Sequence, residues 1–348
     1  MHNLLLTEDQ EMIVDTVRKF AADVVAPDVQ ELDEHRTFAQ AAFGGLAELG
    51  VFGLSMGESS GGAGMGLVPF VAALEAIGAH GGSLASLWIG QVQCVLALEA
   101  AGGGPLADVV GGAAAAWVGP EHGVTFAGGR LHGRARVVPA GEHAGTCIVA
   151  ATENGAPVLV VATTGIGRAP LRALGLASAG CAALTFEGVP ATVVATGEAA
   201  RGAIARAEIA GWIGVGGAAV GGGFGAIAAA KKHAAERIAF GKPLLAQEAV
   251  RRKLVETKRQ VDGARQLVWH AARLSDRGDD AGAAAIAARL AAVEAMLHAA
   301  DEAIQIHGGF GYTVEYHVER HYRDAATFEV LGGGGERLRT RLATLQLA

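Results

Sequence analysis

Several things are scarce in this sequence, and each scarcity excludes a class of protein. Charged residues make up 18% of the chain and aromatic residues 5%, with a net charge of −7. No basic run or stripe occurs anywhere, so the electrostatic footprint of a nucleic-acid-binding protein is missing. There are three cysteines, Cys94, Cys147 and Cys181. An odd number without metal-ligand spacing argues against a disulfide framework or a zinc site, and predicts free thiols in a reducing, cytoplasmic setting. The first residues lack a basic region followed by an apolar stretch, so a secretory leader is not expected. One long uncharged run, Ile209 to Ala230, imitates a membrane span, with nothing else resembling it. It is mostly Gly and Ala, which insert weakly, so a helix buried on all sides of a bundle is expected and membrane insertion is not.

What is abundant is small and apolar. Hydrophobic residues are 51% of the chain, and glycine accounts for 52 of 348 residues, about twice the usual share of roughly 7%. Small residues let helices approach closely but bury less area each. Close helix packing, or a partner chain that adds buried area, follows. The length predicts two or three packed units, since domains usually hold about 100–200 residues.

The texture changes twice along the chain. Thr7-Glu8-Asp9-Gln10 has the form of a capping box, and Ile13, Val17, Phe20 and Val24 recur at helical spacing, with Pro27 marking the end of the strongest pattern. Helical segments then continue to about Gly104, broken by a Gly-rich loop from Gly57 to Gly66. From about Ala114 to Val194 short β-rich runs appear, including Val158-Leu159-Val160-Val161 and Leu184-Thr185-Phe186, punctuated by Gly and Pro. Such spacing predicts a β-sandwich or barrel. Helical texture returns from Arg201 to Phe240, from Glu248 to Leu274, and on to His307. The fold class is therefore α+β: an N-terminal helical domain (1–112), a middle β domain (113–198) and a C-terminal helical bundle (199–348).

Three motifs are coincidental. Gly53-Leu54-Ser55-Met56-Gly57 has the G-x-S-x-G form but lacks a strand before it and a helix directly after it. Gly214 to Ala219 fits a loose dinucleotide fingerprint but falls inside a helical segment. The Gly61–Gly66 stretch has no Lys-Ser or Lys-Thr after it. Two others carry more weight together than alone. Arg237-Ile238-Ala239-Phe240-Gly241 reads by itself as a helix C-cap with a cation near the negative dipole end. Gln305-Ile306-His307-Gly308-Gly309-Phe310-Gly311-Tyr312 reads by itself as a glycine-rich turn.

The run QIHGGFGYTVEYHVERHYRD from Gln305 to Asp324 resembles the C-terminal signature of the acyl-CoA dehydrogenase family. The Arg237 segment resembles that family's R-x-x-F-G, and LAELGVFGLSMGESSGGAGMG resembles its first helical domain. The likeness spans nearly the whole chain and implies the helical–β–helical order read above. It also implies FAD-dependent oxidation of an acyl-CoA thioester at Cα–Cβ, with a glutamate as base. The FAD tail would cross a subunit interface, the neighbour's R-x-x-F-G and Q-x-x-G-G segments holding its pyrophosphate and adenine end. By that resemblance Arg237, Phe240, Gln305, Gly308 and Gly309 are the cofactor-binding candidates. Gln247 stands beside Glu248, where the family usually has Gln.

The departures from the family pattern are concentrated on catalysis. The base that follows the Arg-Asp-Ala run falls on Gly332, in the stretch RDAATFEVLGGGGE. The alternative base position on the long helix falls on Gly211, followed by Trp212 where Arg is usual. The T-E-P…G-S-D loop is shortened to Trp117-Val118-Gly119-Pro120-Glu121-His122, and the W-I-T segment reads Val137-Val138-Pro139. No catalytic residue stands at either base position. The resemblance thus implies the non-catalytic subunit of a two-plus-two heterotetramer, whose homologous catalytic partner binds most of the substrate. Such assemblies are associated with bulky CoA thioesters such as steroid side chains. Two other readings stand beside it: an active homomeric enzyme with a relocated base at Glu208, Glu329 or Glu336, and a flavin-free scaffold of the same fold.

Overall fold

The computed structural model of the chain describes residues 6–239 and 241–347. The capping box forms: Thr7 Oγ1 accepts from the Gln10 backbone N–H at 3.3 Å, and Gln10 Oε1 accepts from the Thr7 N–H at 3.1 Å. This starts helix α1 (Glu8–Phe20). Pro27 does not end the helical path. A π-turn over Ala21–Val25 carries the chain directly into α2 (Ala26–His35), and Pro27 sits in the first turn of α2, where its missing N–H is least needed. Helices α3 (Gln40–Glu48), α4 (Leu67–His80), α5 (Gly82–Ala101) and α6 (Leu106–Val110) complete the first helical region.

Eight strands follow: β1 (Ala115–Val118), β2 (Thr125–Ala127), β3 (Arg130–Val138), β4 (Thr146–Glu153), β5 (Ala156–Ala162), β6 (Gly167–Pro170), β7 (Ala182–Pro190) and β8 (Thr192–Thr196). They form one sheet in the order β6-β7-β3-β2-β4-β5-β8, with β1 parallel to β4. Alternation along the strands feeds two cores. Ile148, Ala150, Leu159 and Ala195 pack with Cys94, Val95 and Leu98 of α5. Cys147, Val149, Val158 and Val160 share a core with Phe126, Leu131, Leu184 and Phe186. All three thiols are buried, and burial pushes Cys147 up to about 11 and Cys181 up to about 12.

The rest is helical: α7 (Gly197–Glu236), α8 (Glu248–Asp276), α9 (Gly282–His307), α10 (Glu319–Val330) and α11 (Gly335–Leu347), with a small hairpin of β9 (Ile238–Ala239) and β10 (Lys242–Pro243) after α7. Helix α7 is the axis of this bundle, and every residue from Ala210 to Gly223 is buried. Its glycines explain the composition. A methyl group built on Gly221 would lie 2.2 Å from the Glu75 carbonyl oxygen of α4, and one on Gly225 2.3 Å from that of Ala79. On other faces Gly223 meets Val261 of α8 and Gly222 meets Met296 of α9. Three neighbours thus reach the α7 backbone at once.

Among the described residues, three helical stretches, not one, are long and apolar enough to cross a membrane: Gly82–Ala101, Gly197–Glu236 and Gly282–Tyr312. Each buries most of its apolar window inside the fold, so the apolar faces are spent on one another. The coincidental motifs resolve as well. Ser55 sits in a turn and donates to the Gly66 carbonyl at 2.8 Å. The first N–H groups of α4, just beyond the Gly61–Gly66 loop, are taken by the Asp276 carboxylate at 2.6 Å and 3.0 Å. That leaves no donor pair there for a phosphate.

His321, at the start of α10, is fully buried, and burial, with Arg320 and His80 nearby, pushes it down to about 3. The unfolded chain gains a proton on this residue below its ordinary value near 6.5, while the folded chain does so only near 3. Stability is therefore unaffected above pH 6.5 and falls as pH drops from 6.5 towards 3, by about 2 kcal/mol at pH 5. Urea unfolding at pH 7.5 and pH 5 should resolve this slope, and His321→Phe should remove that share of it.

Candidate functional site

Two regions gather the residues singled out by the sequence. The first is a cavity of about 80 Å³ between the sheet and the C-terminal bundle. Trp117, Glu121, His122, Val137, Pro139, Glu208, Gly211, Trp212 and Gly332 all line it. The two base positions, 121 residues apart in sequence, thus face the same space, as do both altered β segments.

That space is filled by side chains. A methyl group on Gly211 would lie 2.2 Å from Gln93 Nε2, which donates to the Ala207 carbonyl at 3.2 Å. Gly332 lies in the turn between α10 and α11, where Gly332, Gly333 and Gly334 all have positive φ (60°, 94° and 83°). Three such residues in a row favour glycine strongly. A methyl on Gly332 would lie 3.0 Å from Arg289 Nη1. Arg289 comes from α9 and is 3% exposed. Its guanidinium donates to the Phe328 carbonyl at 3.0 Å and to the Leu331 carbonyl. Burial pushes it down to about 10, with Glu121 and Glu329 opposing, so it stays charged at neutral pH.

Of the two carboxylates that line the cavity, Glu208 is paired with an arginine and Glu121 lies beside His122, while Glu329 and Glu336 are outside its lining. Glu208 forms an ion pair with Arg341 at 2.9 Å. Burial pushes its carboxyl above the ordinary range while Arg341 pulls it back. Arg341 also lies over the Trp212 ring, 4.6 Å from its centroid. A cation from α11 therefore covers the residue that stands where Arg is usual. Glu121 lies 3.5 Å from His122 Nε2, and burial, ahead of any charge effect, lowers the His122 value. Glu329 and Glu336 turn to Arg339, at 3.5 Å and 2.9 Å. Pockets that take small molecules usually offer about 300–1,000 Å³, so this cavity is too small for a flavin ring and an acyl chain together.

The second region is an exposed end of the bundle, where α7 and α9 finish and α8 begins. Arg237 is extended and exposed just past α7, and its N–H bonds the His233 carbonyl at 2.9 Å. Gly241, with φ 75°, turns the β9–β10 hairpin rather than capping the helix. Phe240 lies outside the described residues. Gln247 stands immediately before α8. Gln305 is exposed near the end of α9, and Gly308, with φ 65°, stops that helix. A methyl on Gly308 or Gly309 would meet nothing within 4 Å, so backbone there is open to a close approach. Behind them His233 and His307 stack at 4.2 Å, and Tyr316 packs edge-on against both. Ile238 (58%), Phe310 (50%), Tyr312 (77%) and Val314 (53%) are exposed on the flanking segments, an unusual concentration of apolar surface.

Sequence reasoning missed the two side chains that fill the first cavity. Arg289 carried a signal, as the only cation in the Ala-rich α9. Gln93 carried none, because only the docking of α5 on α7 brings it to Gly211.

Relatives agree with this geometry. Residues 7–103 match the acyl-CoA dehydrogenase N-terminal domain, and residues 211–346 match the acyl-CoA dehydrogenase C-terminal domain. The acryloyl-CoA reductase (NADH) of Anaerotignum propionicum is 29% identical over 95% of this chain and 92% of its own length. The human mitochondrial short-chain specific acyl-CoA dehydrogenase is 29% identical over 95% of this chain and 88% of its own length. The butyryl-CoA dehydrogenase structure from Megasphaera elsdenii superposes with a TM-score of 0.91 at 25% identity, covering 99% of this chain and 100% of that one. The family models, the full-length relatives and the shared three-region architecture together place this chain in the acyl-CoA dehydrogenase family.

Proposed function

We propose that this chain is a non-catalytic subunit of a hetero-oligomeric acyl-CoA dehydrogenase, and that it completes the FAD site of a homologous catalytic partner. The contrast between the two regions carries the reading. Gly211 and Gly332 present no base, and Gln93 and Arg289 occupy the space beside them. The residues of the first cavity therefore do not fit a flavin ring. The exposed end fits the other part of FAD. Arg237 offers a fixed donor fork suited to phosphate, and Gly308 and Gly309 leave backbone approachable. The apolar surface around Phe310 and Tyr312 supplies area that a subunit would cover.

When bound, FAD supplies the hydride acceptor for Cα–Cβ oxidation. The residues of this chain bind its phosphates and adenine end and exclude water there, while the partner holds the ring, the base and the thioester. The resemblance to two-plus-two assemblies, in which losing half the active sites opens room in the others, is what suggests a bulky acyl group, such as a steroid side chain, housed by the partner.

Activity tests the proposal. The chain alone should not reduce an electron acceptor with any acyl-CoA, and the co-expressed pair should. Replacing the partner's catalytic Glu by Gln should abolish all turnover in the pair. Residual turnover would place a base in this chain. One observation favours that second reading: Glu208 lines the cavity with a raised carboxyl value. Its ion pair with Arg341 and the small volume oppose it. Restoring a base by Gly211→Glu should not confer activity on the chain alone, because the new side chain would collide with Gln93. A loss of roughly 2–4 kcal/mol in stability is expected from such overpacking, measurable by urea unfolding.

A further inference from the structure

Next to the second region, with Tyr316 shared between them, a cavity of about 710 Å³ opens between α2, the end of α4, α7 and the segment entering α10. Its lining combines apolar Val29, Phe224, Ala228 and Ala229 with Lys232, His80, His317, Arg320 and His321, and no Asp or Glu is among the lining residues. Arg320 is 7% exposed. Its Nη2 donates to the His80 carbonyl at 2.6 Å, but Nε and Nη1 have no acceptor, and neither has His321 Nδ1. Of the seven buried side-chain polar atoms without a partner among the described residues, three therefore belong to this one cavity.

Unmade bonds of a buried cation are costly, because its donors have left water without gaining an acceptor. The nearby carboxylates do not answer them. Asp33 is held by Arg323 at 2.6 Å and Glu319 Oε1 by the same guanidinium at 3.0 Å, while Glu319 Oε2 is buried without a partner and bonds neither Arg320 donor. Asp324 accepts from the Gly82 and Leu176 N–H groups at 2.8 Å and 2.7 Å. Glu34, near His317, is exposed and bonded to Gln30 at 3.3 Å. What the site lacks is an oxyanion from outside the chain.

We infer that this cavity binds a small anionic amphiphile. Its phosphate or carboxylate sits at Arg320 with Lys232 at the rim, and its apolar body lies along Val29, Phe224 and Ala228. The volume is in the range of small-molecule sites, and two cations, Arg320 and Lys232, among apolar side chains fit such a ligand. The inference uses nothing from the flavin reading and stands or falls apart from it.

The test is titration of the full chain with octyl phosphate, octanoate, inorganic phosphate and, as the neutral control, octanol, read by calorimetry and by thermal shift. Saturable binding of an octyl anion, absent for octanol, is expected, and the tighter of phosphate and carboxylate identifies the head group. Arg320→Gln should weaken it at least about tenfold, the worth of one charge-assisted hydrogen bond. Ala228→Trp, at an exposed lining position, should block binding without touching Arg320, and decides the matter if Arg320→Gln does not fold. Equal binding of octanol, or anion binding unchanged in Ala228→Trp, would overturn the proposal. So would a change in native mass in Arg320→Gln with no anion bound by the parent chain, because the donors would then serve a protein contact.

Discussion

Arg237→Ala is expected to leave the co-expressed pair of subunits colourless. The side chain lies at an exposed helix end, beside approachable glycine backbone and away from the cores of this chain. Each charge-assisted bond from a guanidinium to a phosphate is worth about 1.5–3 kcal/mol, so losing two weakens flavin binding by roughly 100-fold or more. The pair should lose its flavin absorbance on desalting. The thermal stability of this chain alone should not change, because the group is exposed. Arg237→Lys should retain part of the flavin, since an ammonium keeps the charge but not the planar fork. A yellow Arg237→Ala pair would mean that this helix end does not reach the cofactor.

Gly221→Val is expected to have the largest effect on folding. The added Cβ would sit 2.2 Å from the Glu75 carbonyl oxygen, a backbone atom in the middle of α4 that cannot swing aside. Either α7 moves off α4, opening a gap along Gly217, Gly221 and Gly225, or the strain is kept. Both outcomes cost about 3–5 kcal/mol, which corresponds to a fall in melting temperature of roughly 4–7 °C for a chain of this length. Gly202→Ala on the same helix is the control. A methyl there meets nothing within 4 Å, so removing a glycine from a helix interior should stabilise by about 0.5–1 kcal/mol. Opposite signs for two glycines of one helix would separate close approach from intrinsic propensity.

These two substitutions mark what could and could not be read from the sequence. The order of helices, strands and helices was legible, because hydrophobic spacing and the Gly and Pro punctuation change together near 114 and 200. The capping box at Thr7 was legible for the same local reason. Pro27 misled, since a proline is compatible with a first helical turn and the π-turn before it has no sequence signature. The glycines of α7 were visible as composition but not as a packing device. A helix apolar all round gives no periodicity to show which face meets which neighbour. The hairpin at Gly241 read as a helix cap because both need a residue at positive φ.

The candidate site divides along the same line. The positions of Gly211, Gly332, Trp117 and Val137 followed from the resemblance, and the fold brings them to one cavity. What fills that cavity did not follow. Arg289 stood out in its Ala-rich helix and Gln93 did not, but for both only long-range docking decides where they point. The orphaned donors of Arg320 and His321 were equally hidden, because an unmade hydrogen bond is a property of surroundings.

The flavin content of the purified chain, alone and with its catalytic partner, decides whether the chain serves a neighbour's FAD site. The account predicts a colourless chain alone and a yellow pair carrying about one FAD per two chains, in a mixed assembly of closed symmetry. A chain that alone binds stoichiometric FAD, bleached on adding an acyl-CoA, would contradict it and make Glu208 the first base to test.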